Sequence, residues 1–473
     1  MGKRSAEVES FLRKHGLHSM GGYGPSYKGR ENPVMTTKLE RIAAKAKKEP
    51  TLQFTSLTHH VTKELIWKSL HHMPEDTAPG IDGVTASEAQ RNFPLWADKM
   101  MRDIHQKGYK PPAVRRVWIP KPGKAEKRPI GVPAVADRAL QRSTAHVLSA
   151  MYEQDFLDCS FGGRPGRGAH HALATLNEVI SGKKVGWVLE ADLKNYFGSL
   201  DHEWMMKFVR HRIGDPRILS LIQRWLKAGV MENEEIVRSK QGTPQGGSIS
   251  VLLSNIYLHY VLDLWFEKSV KSKLKGEAYL IRYIDDFIVC FQYRADAKRF
   301  HDALQRRLGK FELRLEPDKT GLVEFGRFAK KHAKEWGKKL NTIYFLGFTH
   351  YCTQNKKGSF MVGRKTEKSR LKRSITKMQE TLRYIRHWPI QDQVIKINQK
   401  LQGHYNYYGI AGNLESLCRL YSETEKYWRK MLSSRSRKGY VNWEKFQHIK
   451  SLFPLVRPKL SIPYGTLKGY VRL

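Results

Sequence analysis

The segment YLIRYIDDFIVCFQ, residues 279–292, constrains this chain more than any other stretch. Two adjacent acids, Asp285 and Asp286, interrupt an apolar run that is strand-like on either side. The pattern predicts a hairpin with both carboxylates at its turn. Carboxylates among apolar side chains cost free energy unless a cation or a set of donors meets them. A third acid, Asp192, ends another apolar strand, GWVLEADL at 186–193. Three strand-end carboxylates suit two divalent cations and an in-line phosphoryl displacement, and hard oxygen ligands favour Mg²⁺.

Such chemistry needs a phosphorylated partner, and the charge balance points to one. The 473 residues carry 84 Lys and Arg against 45 Asp and Glu, a net charge of +39. More than half of that excess lies in residues 321–473, with 32 basic residues against 9 acidic ones. A field of this size recruits polyanions, and nucleic acid is the first expectation. The aromatic residues, 11% of the chain, argue against wholesale disorder. No apolar run reaches membrane-spanning length; Val251–Phe266 is interrupted by Ser254, Asn255, His259 and Asp263. The N-terminus lacks the apolar core of a secretory signal. Cys159, Cys290, Cys352 and Cys418 form no C-x-x-C pair, which fits a reducing, cytoplasmic and nucleoid-associated setting.

Residues 1–50 read as a basic extension, partly ordered at best, although TTKLERIAAKAKKE could form a short helix. Helices are expected over 52–70, 136–156, 202–212, 216–229, 248–268 and 296–309. RRVWIPKPGKAEKRPIGVP, at 115–133, reads as two strands around a basic tip. FELRLEP and NTIYFLGFTHY read as one strand each, and 365–428 as basic, aromatic helix.

At this point the residues resemble a family. Tyr283-Ile284-Asp285-Asp286 looks like the tyrosine-x-aspartate-aspartate box of reverse transcriptases. GTPQGGSISVLLSNIYLHYVLD (242–263) is similar to the segment before that box in group II intron reverse transcriptases. ADLKNYFGSLDH (191–202) resembles their first-aspartate motif. APGIDGVT, IPKPGKAEKRPIGVP, FGGRPGRGAHHAL, LRLEPDKT and FLGFTH match further blocks in the family's order. The likeness runs over roughly residues 52–465.

The resemblance implies an α+β right-hand polymerase. Fingers would span 51–185, an antiparallel palm with helices on one face 186–355, a helical thumb 356–435, and a tail 436–473. It implies Asp192, Asp285 and Asp286 as catalytic acids, with Leu193 beside them in the set for two Mg²⁺ ions, or Mn²⁺ as substitute. Phe197 would be a steric gate against a ribose 2′-hydroxyl. Gln245 and Gly246 would border the nucleotide, and Lys121 and Arg128 would clamp its triphosphate, with Lys124 and Lys127 as rivals. Lys319 would lie near primer-side phosphates, and Tyr283 and Ile284 at the primer end. Arg364, Lys365, Lys368, Arg370, Lys372 and Arg373 would meet the backbone of an RNA or DNA template–primer. The aromatic cluster HYNYYG reads as helix–helix core rather than a stacking platform. The implied substrates are dNTPs, no membrane partner is expected, and the oligomeric state stays open between monomer and dimer.

Two positions depart from the family's pattern: Ile284 stands where alanine is commonest, and Val251 replaces a proline. No C-x-x-C-bearing endonuclease module follows the tail. These departures point away from intron homing, toward a free-standing enzyme recruited for DNA repair or defence. An intron maturase that folds RNA is the rival.

Overall fold

A computed structural model describes residues 37–120, 127–232, 235–237, 241–242, 247–436 and 439–473. Their strands, in chain order, are β1 (Val114–Pro120), β2 (Lys127–Val132), β3 (Trp187–Ala191), β4 (Val230–Glu232), β5 (Glu235–Val237), β6 (Ala278–Tyr283), β7 (Asp286–Phe291), β8 (Gly321–Glu324), β9 (Thr342–Phe345), β10 (Phe348–Gln354) and β11 (Phe360–Thr366). They form three sheets, ordered β2-β1-β4-β5, β6-β7-β3-β8 and β11-β10-β9. The middle one is antiparallel throughout.

The apolar run around the paired acids is buried on both of its faces. Phe287, Val289 and Phe291 join one core with Leu189 and Ala191, against Phe300 and Leu304 of helix Arg294–Gly309. Ile288 and Cys290 join a second core with Val188 and Ile281, against Leu173 and Leu176 of helix Ala169–Gly182. Strand side chains alternate between faces, so a sheet covered twice reads as continuous apolar sequence. Helices on one face only, as expected from the family, is therefore corrected.

The expected N-terminal boundary also moves. Thr37–Lys48 is a helix whose Leu39, Ile42 and Ala46 enter the first core. Buried Arg212 satisfies the carbonyls beyond its end, donating to Glu49 O at 3.1 Å and Leu52 O at 2.7 Å, and pairs with Asp155 at 2.8 Å. Residues 37–50 thus belong to the folded body, while residues 1–36 of the expected extension lie outside the described residues. The helix expected over 52–70 begins at Lys63. Before it, the Asp215 carboxylate accepts the backbone N–H groups of Leu57 and Thr58, both at 2.8 Å, and these bonds compete with helix formation there.

Three further elements differ from the sequence reading. The helix expected over 248–268 is α-helical over Ser250–Leu258, then widens into π turns at His259–Asp263 and Phe266–Val270. FELRLEP forms no strand; it touches the Asp192 loop through a Leu193–Leu315 bridge. NTIYFLGFTHY is two strands, β9 and β10, joined through Leu346–Gly347.

Helices Lys368–Tyr384, Ile390–Tyr408 and Leu414–Ser433 complete the second core. Tyr405 and Tyr408 are buried there, so this aromatic cluster is core, as expected. The last residues return to helix Ala169–Gly182, where Arg472 N donates to Thr175 Oγ1 at 3.0 Å. Among the described residues no helix is long and apolar enough to cross a membrane.

Candidate active site

Strand β6 ends at Tyr283 and β7 begins at Asp286, so Ile284 and Asp285 make the turn. Ile284 has φ of +60°. A β-branched side chain pays in strain for that left-handed backbone, and such strain persists only where surrounding bonds over-determine it.

The restraining bonds come from Arg282, which is fully buried. Its guanidinium donates to the Ile284 carbonyl at 3.0 Å, to Asn255 Oδ1 at 3.0 Å and to Ser160 Oγ at 2.8 Å. It also grips both oxygens of buried Asp263, at 2.8 and 2.6 Å. Asp263 sits on the first π turn, where the widened backbone changes which way a side chain faces. Asn255 donates in turn to the Gly162 carbonyl at 2.7 Å.

Gly162 and Gly163 complete the seat. A Cβ on Gly162 would fall 2.6 Å from Ile284 Cγ1 and 2.7 Å from Ile284 N. A Cβ on Gly163, where φ is +71°, would fall 2.2 Å from Val251 Cγ1. The two positions that depart from the family pattern thus rest on one diglycine.

Asp192 arrives from the neighbouring strand. Ala191 pairs with Phe287, so one step further along the register sets Asp192 opposite Asp286. Its loop is tied down by Glu316 N donating to Asp192 O at 2.8 Å, and by Lys194 N donating to Arg314 O at 2.9 Å. This is what the FELRLEP segment does instead of forming a strand. Lys319, in the short turn that follows, makes an ion pair with the Asp192 carboxylate.

The three acids feel one another. Burial, then the Asp192 charge, push the Asp285 carboxyl up to about 6, against the opposing pull of Arg128 and Lys319. Burial and the charges of Asp192 and Asp285 push Asp286 up as well, opposed by Lys319 and Arg370. Among the described residues no ion pair engages Asp285 or Asp286. Nor are three His, Cys, Asp or Glu side chains gathered there into a ready metal-holding group. Two carboxylates held against their preference for water are the donor chemistry that a hard cation satisfies. Lys319 holds the Asp192 carboxylate meanwhile.

The other expected residues fall into four groups. Half-buried Phe197 stands beside the acids' loop, edge-on to buried Tyr196 at 5.4 Å, and Tyr196 donates to Ser254 O at 2.8 Å. Tyr283 is 8% exposed and Leu193 is buried. Arg370 arches over Gly347, donates to Glu367 at 3.1 Å, and brings its charge to Asp286. Lys365, Lys368 and Lys372 are exposed and Arg373 is half-buried, so all four remain open to solvent. Arg364 is not: it is 1% exposed and donates to Ala411 O at 3.0 Å and Asn177 Oδ1 at 3.1 Å. Its assignment to nucleic acid is corrected, because a guanidinium spent on buried acceptors serves the fold. Lys121, Lys124, Gln245 and Gly246 lie outside the described residues.

Sequence reasoning missed Arg282, Asn255 and Asp263. The signal was present: an arginine inside an apolar strand, and an amide and an acid inside an apolar helix.

Residues 119–350 match the family model described as reverse transcriptase (RNA-dependent DNA polymerase). The chain is 32% identical to Protein YkfC of Escherichia coli (strain K12) over 272 residues, 51% of this chain and 71% of that protein. It is 31% identical to the group II intron-encoded protein LtrA of Lactococcus lactis subsp. cremoris over 231 residues, 48% of this chain and 38% of that protein. It is also 24% identical to nuclear intron maturase 3, mitochondrial, of Arabidopsis thaliana, over 40% of this chain and 29% of that protein.

Proposed function

Because the chain belongs to the group II intron-like reverse transcriptase family, we propose that the three acids serve Mg²⁺-dependent extension of a nucleic-acid 3′ end with dNTPs. The observation that carries this reading is the alignment of Asp192 with the Asp285–Asp286 turn across β3 and β7, with Asp285 driven up to about 6 by burial and its neighbour. Asp192, Asp285 and Asp286 are the residues that would hold divalent cations. Bound there, the cations would supply acidity to the attacking 3′-hydroxyl and positive charge to the leaving pyrophosphate.

The chain's own groups do the rest. The strained turn fixes where the two carboxylates point. Lys319, which pairs with Asp192, would be free to meet a phosphate once that carboxylate held a cation. Arg128 offers charge to the triphosphate from the first sheet, in the role of fingers. Phe197 excludes a 2′-hydroxyl by bulk. Arg370 and the cations Lys365, Lys368, Lys372 and Arg373 hold the duplex backbone, in the role of a thumb against a palm built on the middle sheet. A basic surface that reads backbone accepts RNA and DNA templates alike.

The host role proposed is repair synthesis across short-paired ends, with Ile284 setting how a 3′ end is seated. The test is primer extension by purified protein with Mg²⁺ on matched RNA and DNA templates, using long and very short overlaps. Wild type should extend, and Asp285→Ala/Asp286→Ala should lose activity by at least about 10³-fold. Ile284→Ala should change the preference between short and long overlaps; an unchanged preference ends the seating role of Ile284, and failure of wild type to use short overlaps ends the repair argument. The intron-encoded and maturase relatives favour a second reading, an RNA-folding splicing cofactor. Tight binding of structured intron RNA without extension on any template would select it.

A further inference from the structure

A second surface lies at the other end of the middle sheet. Strand β8 runs antiparallel to β3, with Gly321 opposite Glu190 near the catalytic end and Glu324 opposite Trp187 at the far end. The five residue steps from Trp187 to Asp192 span roughly 17 Å of strand. Just beyond Glu324 the chain forms the short helix Ala329–Glu335. The catalytic groups described above do not include it.

This helix carries a ladder of rings. Phe328, His332 and Trp336 are spaced four residues apart, which places them on one helical face. Phe328 and His332 lie 6.5 Å apart at 25°, and His332 and Trp336 lie 5.2 Å apart at 23°. The outer rings are 62% and 55% exposed. The central ring is pinned, since His332 Nδ1 meets Glu324 Oε1 at 2.5 Å. Buried Ala329 and the bond from Lys330 Nζ to Gln354 Oε1, at 3.1 Å, anchor the helix beneath.

The ladder sits among cations. Residues 327–339 hold Arg327, Lys330, Lys331, Lys334, Lys338 and Lys339 against Glu335 alone. All six are exposed, and Lys338 Nζ lies 5.3 Å from the Trp336 ring centroid. Large rings do not stay exposed in a near-parallel row for solubility, and cations alone would serve that purpose. A row of aromatic rings within positive charge matches a chain whose flat bases follow a phosphate backbone. A duplex hides its base faces, so the complementary ligand is single-stranded.

We propose that the Phe328–His332–Trp336 ridge is a docking site for single-stranded nucleic acid, separate from the catalytic cleft. The strand could be DNA or RNA, since stacking and phosphate contacts are common to both.

The test fills the cleft of the full chain with an unlabelled blunt hairpin duplex. It then measures binding and photocrosslinking of a 4-thio-substituted oligo(dT) or oligo(U) of about twelve nucleotides. Wild type should crosslink within 327–339, and Phe328→Ala/Trp336→Ala should weaken single-strand binding by about tenfold or more. Lys330→Glu/Lys331→Glu/Lys334→Glu should do the same and flatten the salt dependence. Extension of a short pre-annealed primer–template should stay within about twofold for both variants, since the helix lies away from the acids. Oligonucleotide binding unchanged by both variants would overturn the proposal. So would a variant whose light-scattering mass changes while its oligonucleotide binding does not, because a second protein copy would then cover the ridge. Thermal midpoints matching wild type establish that the exposed substitutions leave the fold intact.

Discussion

Arg282 holds the turn that carries the paired acids through the carbonyl of its strained residue, and that role separates from mere burial. Arg282→Lys should lower kcat by about tenfold or more with little change in KM for dNTP, because the turn shifts while substrate contacts stay. Breaking the Arg282–Asp263 pair costs on the order of 3–5 kcal/mol, yet replacing both partners by apolar residues often restores stability. Arg282→Met/Asp263→Leu should therefore recover the thermal midpoint without recovering kcat; recovery of both would reduce Arg282 to a structural residue. Asp285 makes a complementary prediction. Its folded pKa, about 6, lies above that of an unfolded aspartate, so the folded state holds the proton more tightly. The group opposes folding at pH above about 6, and the opposition fades as pH falls toward about 4. In chelator, Asp285→Asn should raise the thermal midpoint by on the order of 2 °C at pH about 7.5, and by much less at pH about 5. The three acids were legible because charge inside apolar sequence is conspicuous. Arg364 was misread because one buried arginine in a basic run looks like its exposed neighbours until the tertiary structure shows what it touches.

At the scale of elements, local pattern named most helices and strands and failed where long-range bonds intervened. The Asp215 carboxylate takes the N–H groups of Leu57 and Thr58, and no pattern within 52–70 contains it. The π turns follow from the need to aim Asp263 at Arg282, and periodicity over 248–268 reads the same with or without them. FELRLEP alternates like a strand but spends its backbone on the Asp192 loop. The short helix offered by TTKLERIAAKAKKE reads as part of an extension because of its lysines, although Leu39, Ile42 and Ala46 mark the one face that enters the core. Ile42→Ala should cost about 2–4 kcal/mol in denaturant unfolding, the range for emptying a buried aliphatic site. A cost below about 0.5 kcal/mol would return that helix to the status of an appendage.

For the whole molecule, two cores lie on opposite faces of one four-stranded sheet, and the acids sit at its end, where both cores meet solvent. A sheet supported from both sides is a rigid base for a strained turn. The excess positive charge lies mostly beyond that sheet in sequence, in the segment from β9 to the C-terminus and the ridge before it. Affinity for a template–primer should therefore fall steeply with salt. Removing Lys365, Lys368, Lys372 and Arg373 together should reduce the slope of log affinity on log salt by about 2–4. Arg364→Ala should instead lower the unfolding midpoint and leave that slope alone. Those two outcomes divide cations that neutralise phosphate from one that holds helices together.

The diglycine beneath the turn limits which substitutions this lineage can accept. Gly162 is hemmed in by the backbone of Ile284 as well as by its side chain, and Gly163 has a left-handed backbone whatever Val251 becomes. Shrinking Ile284 or Val251 would not free either glycine to change. The reverse is open: with the glycines as a fixed floor, positions 284 and 251 can exchange one apolar side chain for another. Divergence at this site should run in one direction, with change arising at 284 and 251 while 162 and 163 stay as they are.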